Sequence, residues 1–251
     1  MLRSALRFVE RFRLDLVEPN DSRSVPDYHQ AFEACARFSR TFAPDTPNLA
    51  LSRATTGPER RREQIAAALR DGSGQSDAMA HAAGQCLKFS HYFAPFLEQQ
   101  TGRRAWPTLG QLWKGDHRVY GPASWSDLRS LLDRGIQLED LTREGLNGLQ
   151  LHAWITLEKG ELVDLTFAST LALALPDGLG ELRGAIVWGR EPDVLVGHRY
   201  FPMLAGAPAF ERLNAKSCLP FLANSVGELP VVFGLSLTPS IGIGDEARPE
   251  R

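Results

Sequence analysis

Two apolar segments, residues 149–157 and 161–165, are separated only by Glu158-Lys159-Gly160. That spacing predicts an antiparallel β-hairpin, with Gly160 free to take the positive φ that a short turn requires. Within the first strand the side chains alternate, so His152 and Trp154 share one face and Leu151, Ala153 and Ile155 the other.

Upstream of the hairpin the texture is helical. Apolar residues recur three and four apart in segments 2–16, 27–41, 58–69 and 76–100, which are joined by loops rich in Pro, Asn, Asp, Ser and Gly at 18–22, 44–48 and 71–74. After Gly102 the pattern changes to β-like stretches at 105–113 and 118–120. A helix over 124–134 then begins with a serine cap and ends at Gly135. Residues 183–188 and 229–237 are further strand candidates. Helices first and an antiparallel sheet later predict an α+β fold.

Composition narrows the class of function. Hydrophobic residues at 43% and charged residues at 23% match a globular chain. Twenty-eight basic against thirty acidic side chains leave a formal charge of −2, which gives no field to draw the chain to nucleic acid or an anionic membrane. No run approaches the ~18 apolar residues of a membrane span; residues 171–175 are stopped by Pro176. Charges at Arg3, Arg7, Glu10 and Arg11 interrupt the first helix, unlike the apolar core of a secretory signal. Three cysteines, Cys35, Cys86 and Cys218, are too few and too far apart for a disulfide framework or a paired metal motif. A reducing, cytoplasmic setting is the default expectation, with delivery by a signal-independent route left open.

The chemistry-bearing residues are a cysteine, a histidine and an aspartate. Cys86 follows the small residues Ala82, Ala83 and Gly84. At a helix start the positive end of the dipole would favour its thiolate. This requires segment 76–100 to break near Gly84, where glycine tolerates the dihedrals. Taken alone, Cys86 reads as a small buried hydrophobe, and only its company with His152 shifts the balance. His152 heads the first hairpin strand and Asp164 lies on the second, so pairing can set a carboxylate beside the imidazole, fix its tautomer and stabilise the imidazolium. His81 and His91 each lie five positions from Cys86, about 140° away around a helix, and cannot converge with it on a metal. The phosphate-loop, zinc-protease and serine-hydrolase signatures are missing, so neither metal nor cofactor is expected.

Gly84-Gln85-Cys86, His152-Ala153-Trp154 and Asp164-Leu165-Thr166 together resemble the transglutaminase-like branch of the papain-like cysteine enzymes, over residues 80–170. Helical periodicity makes 1–75 a helical N-terminal region, and the glycines and alternating charges after Pro239 make 239–251 a flexible tail. The resemblance implies a catalytic domain over 76–238 with the cysteine-bearing helix packed on an antiparallel sheet. It implies Cys86 as nucleophile, His152 as base and acid and Asp164 as orienter, acting on a peptide or glutamine-side-chain amide through a thioester. Leu87 stands where the family often has Trp. No motif places the oxyanion donor; Gln85, Trp106, Trp113 and Trp154 are the oxyanion or substrate-lining candidates. Hydrolysis is favoured because nothing marks an amine site. Transglutaminase-type transfer to an amine, and an inactive interaction module, are the alternatives. A protein or peptide substrate is the expected partner.

Overall fold

The computed structural model describes residues 16–52, 58–74, 77–141 and 150–230. The amphipathic segment 2–15, most of the strand candidate 229–237 and the tail 239–251 lie outside the described residues.

In chain order, helix α1 spans Tyr28–Phe42, α2 Pro58–Ser73 and α3 Cys86–Thr101. Strands β1, Ala105–Lys114, and β2, His117–Tyr120, precede α4, Trp125–Arg134. Then come β3, His152–Leu157, β4, Glu161–Asp164, α5, Phe167–Ala174, β5, Val187–Arg190, β6, His198–Ala205, and α6, Ala207–Lys216. Among the described residues no helix is long and apolar enough to cross a membrane.

The helix boundaries follow local chemistry. Asp27 caps α1 by accepting from the backbone N–H groups of His29 and Gln30 at 2.9 and 3.4 Å. Ser124 caps α4 by accepting from Asp127 N–H at 3.0 Å, and Gly135 closes that helix at φ +77°. Segment 76–100 is not one helix. A single 3₁₀ turn at Ala78–His81 gives way to α3 only at Cys86, with the break at Gly84, φ +71°.

All strand pairs are antiparallel, in the order β2-β1-β3-β4-β5, and β6 pairs with β1. One edge of β1 is shared lengthwise, by β3 along 105–110 and β2 along 112–114, while β6 takes the other along 108–114. Helices cover both faces. Trp106, Leu112, Trp154, Leu162 and Tyr200 pack against Tyr28, Phe32 and Cys35 of α1. Ala105, Ile155, Leu157 and Val163 pack against Phe89, Phe93 and Leu97 of α3, with Ile65 and Ala68 of α2 behind them. Residues on either side of position 75 therefore share one core.

The pairing of β1 with β6 is the part sequence patterning does not assign. Residues 198–216 form β6 and α6, and Pro202 inside an apolar run argues against a strand there. The structure accommodates Pro202 at a register shift between Leu109 and Gly110. At Gly110 the strands come so close that a Cβ would sit 2.0 Å from the Phe201 carbonyl oxygen and 2.8 Å from the Trp154 ring. A backbone atom cannot give way as a flexible side chain can. Gly110→Ala is expected to lower unfolding free energy by more than ~3 kcal/mol, beyond the usual range for a point change, measured by urea denaturation.

Candidate active site

The starts and ends of elements converge at one end of the sheet: Cys86 opens α3, His152 opens β3, Asp164 closes β4 and Tyr120 closes β2. The turn that delivers Cys86 is built from its own sequence. Gln85 N–H donates to Ala82 O at 3.1 Å, and Gly84 N–H donates to Thr170 Oγ1 of α5 at 3.0 Å. Cys86 is the first residue of a sixteen-residue helix, so its N–H has no intrahelical acceptor and the dipole's positive end lies beside the thiol. The thiol itself donates to the Leu151 carbonyl at 3.5 Å, one residue before His152.

Hairpin register brings the other two residues together. Ile155 pairs with Val163, which sets Trp154 opposite Asp164 and His152 diagonally across from it on the same face. His152 Nε2 lies 2.6 Å from Asp164 Oδ2, and Cys86 lines the same pocket as the imidazole. Four rings fix the imidazole plane: Tyr120 stacks on it at 5.2 Å, and Trp154, Phe167 and Tyr200 lie at 5.9, 6.0 and 6.1 Å.

Asp164 is fully buried and its acceptor capacity is used. Oδ2 accepts from Tyr200 Oη at 2.9 Å; Oδ1 accepts from the N–H groups of Thr166 and Phe167 at 3.1 and 3.0 Å. Burial alone would raise the carboxyl's pKa, but the His152 charge and hydrogen bond and these two N–H groups outweigh it and lower it. Burial likewise opposes charge on His152. The Asp164 charge and hydrogen bond, and then Cys86, overcome that and raise the imidazole to about 10. The resting arrangement is an imidazolium facing a carboxylate.

A small pocket of about 190 Å³ including its open mouth lies over the thiol, lined by Gly84, Cys86, Tyr120, Leu151, His152, Thr166, Phe167 and Thr170. None of the four oxyanion or lining candidates borders it. Gln85 Nε2 is committed to the His81 carbonyl at 2.6 Å. Trp113 Nε1 donates to Gln111 Oε1 at 2.8 Å, and Trp154 Nε1 to Tyr28 Oη at 2.9 Å. Trp106 packs on Phe32 at 5.5 Å within the α1 face of the core. Their chemistry suits the role; pleat and packing turn them elsewhere. Tyr120 and Tyr200 take the places around the imidazole instead. Among the described residues no group of three or more His, Cys, Asp or Glu side chains is arranged to hold a metal ion. His117 is exposed beside Asp116, and His91 faces Glu211 at 3.5 Å, away from the thiol.

Two measurements follow from this geometry. Tyr200→Phe deprives a buried carboxylate of one donor and is expected to cost about 1.5–3 kcal/mol, the range for hydrogen bonds to charged groups, read by denaturant titration. The pH dependence of stability carries its own sign. His152, raised in the fold, contributes fully below its unfolded value near 6.5 and loses that contribution as pH climbs through about 10. Asp164, lowered in the fold, contributes fully above its unfolded value near 3.8 and loses that as pH falls through its folded value. The stability gap between wild type and Asp164→Asn should be widest from about pH 4 to 6.5 and narrow on both sides; a flat gap in parallel melts would contradict the ion pair.

No family model matches the chain, and no curated protein or solved structure is significantly similar to it, so what this site can do is read from its own geometry.

Proposed function

We propose that the protein is a cysteine hydrolase of the papain-like, transglutaminase-like type, acting on a peptide or glutamine-side-chain amide. The observation that carries this reading is the His152–Asp164 pair at 2.6 Å, set beside a thiol at the start of a helix. Asp164 occupies Nε2, and in the reactive state the imidazolium's other ring nitrogen holds the proton given up by Cys86, which leaves the sulfur as a thiolate. The Cys86 sulfur then attacks the carbonyl carbon, and the carbonyl π pair moves to oxygen. On collapse the C–N bond breaks, and the amine leaves with the proton that His152 returns. Water repeats the sequence on the thioester, giving its proton to His152 and releasing the acid and the free thiol. Water as acceptor needs no second binding site, and an amine acceptor would convert the same intermediate into a transamidation product. All three cysteines are free, in keeping with a reducing, cytoplasmic setting.

One observation favours a second reading. Cys86 and His152 are only 2% and 3% exposed, as in an interaction module whose catalytic residues serve as core. The two readings differ in reactivity. In a Cys218→Ser background, which removes the exposed thiol, Cys86 of an enzyme should react with iodoacetamide at pH 6, where ordinary thiols are protonated, and His152→Ala should slow it at least tenfold. Cys86→Ala should abolish turnover on a panel of peptide and glutamine amides while changing stability by only about 1 kcal/mol. Absence of turnover in wild type, with a Cys86→Ala melt many degrees lower, would establish the module instead.

A further inference from the structure

Tyr120 is 2% exposed, and among the described residues its hydroxyl has no hydrogen-bond partner. Buried hydroxyls in folded proteins almost always have one. The usual escape for tyrosine, pointing the polar tip to water, is closed here. The residue borders the pocket over Cys86, and its ring is held in place by stacking on His152 at 5.2 Å and an edge contact with Phe167 at 6.4 Å. An unsatisfied hydroxyl on a rigidly held residue that lines the thiol's pocket is suited to a developing negative oxygen.

We propose that the Tyr120 hydroxyl is the side-chain half of the oxyanion site, the backbone N–H of Cys86 being the other half. The proposal rests on the thiol-enzyme reading and deepens it. In the attack step the thiolate sulfur, whose proton is already held by His152, forms a bond to the carbonyl carbon and the carbonyl π pair settles on oxygen. That oxygen accepts hydrogen bonds from Tyr120 and from the Cys86 N–H. No proton crosses to it, and collapse re-forms the carbonyl as the leaving group departs with its bonding pair. Burial raises the phenol's pKa above its usual value, with the charges of Cys86 and Asp164 adding to the effect, so Tyr120 stays protonated and can donate. The placement also accounts for the site having no side-chain donor from Gln85, Trp106, Trp113 or Trp154, which are all turned elsewhere.

The test compares two small probes that fit a narrow pocket. Iodoacetamide is displaced at a saturated carbon and forms no oxyanion; p-nitrophenyl acetate acylates through one and releases p-nitrophenolate as a burst. Both are applied at pH 6 to the Cys218→Ser protein with and without Tyr120→Phe, with Cys86→Ala as the control. Tyr120→Phe is expected to keep the alkylation rate within about twofold, to melt at or above the parent temperature because an unsatisfied hydroxyl is removed, and to lose about a hundredfold in burst rate, the lower end for an oxyanion donor. An unchanged burst rate overturns the proposal. So does an equal loss in both reactions, which would make Tyr120 a positioning residue for His152, and so does a melt several degrees lower, which would reveal a structural partner. Preferential alkylation of Cys86 without a Cys86-dependent burst in the parent overturns it too. Failure of the underlying reading looks different: Cys86 then alkylates at pH 6 no faster than an ordinary thiol, and Tyr120 falls with it.

Discussion

A carboxylate that has lost all contact with water stays ionised only if donors replace the water, and Asp164 draws them from several parts of the chain. Its own strand ends in the turn that supplies the Thr166 and Phe167 N–H groups, β6 supplies the Tyr200 hydroxyl and β3 supplies His152. Each donor fixes something else. The two N–H groups set where α5 begins, Tyr200 locks the far strand of the sheet against the hairpin, and His152 acquires one orientation. Removing the charge would leave these groups aimed at an acceptor of the wrong kind, which is why the aspartate is as much a structural hub as an orienter.

The thiol reaches this hub through packing from the opposite face. α3 lies on the side of Ile155 and Leu157, whereas His152 and Trp154 project toward the side covered by α1. A helix lying flat on one face could not present its side chains to the other, so contact is made at the rim of the sheet, where both α3 and β3 begin. Gly84 permits the sharp entry, Thr170 of α5 anchors it, and Gly110 lets β1 approach β6 and the Trp154 ring closely. Stacked aromatics then hold the imidazole, and the pocket that remains is narrow. Such a site gains electrostatic strength from the exclusion of water, which also makes every misplaced donor more consequential.

The local features were legible because they are local. Alternation plus Gly160 specified the hairpin, and the hairpin's register alone brings positions 152 and 164 onto one face within reach. The Ser124 cap, the Gly135 stop and the break at Gly84 are likewise short-range effects of side-chain hydrogen bonding and glycine dihedrals. What stayed hidden depends on pairing between distant segments. β6 carries a proline and is recognisable only through its partnership with β1, across a register shift that sequence cannot announce. The tryptophans show the same limit: Trp106, Trp113 and Trp154 have suitable indole donors, yet strand pleat and core packing decide where each one points.

The sequence by itself thus determined the order of helices and strands as far as the hairpin, the hairpin itself, and the choice of a cysteine, a histidine and an aspartate as candidates, because periodicity, capping and turn residues act over a few positions. Only the tertiary structure decided that Tyr200 would share the aspartate, that Tyr120 would lie against the imidazole with its hydroxyl unsatisfied, and that the thiol would meet its partners at the sheet's rim. Those outcomes follow from long-range burial, where side chains separated by tens of residues compete for the same few cubic ångströms and the donor that fits the available space prevails.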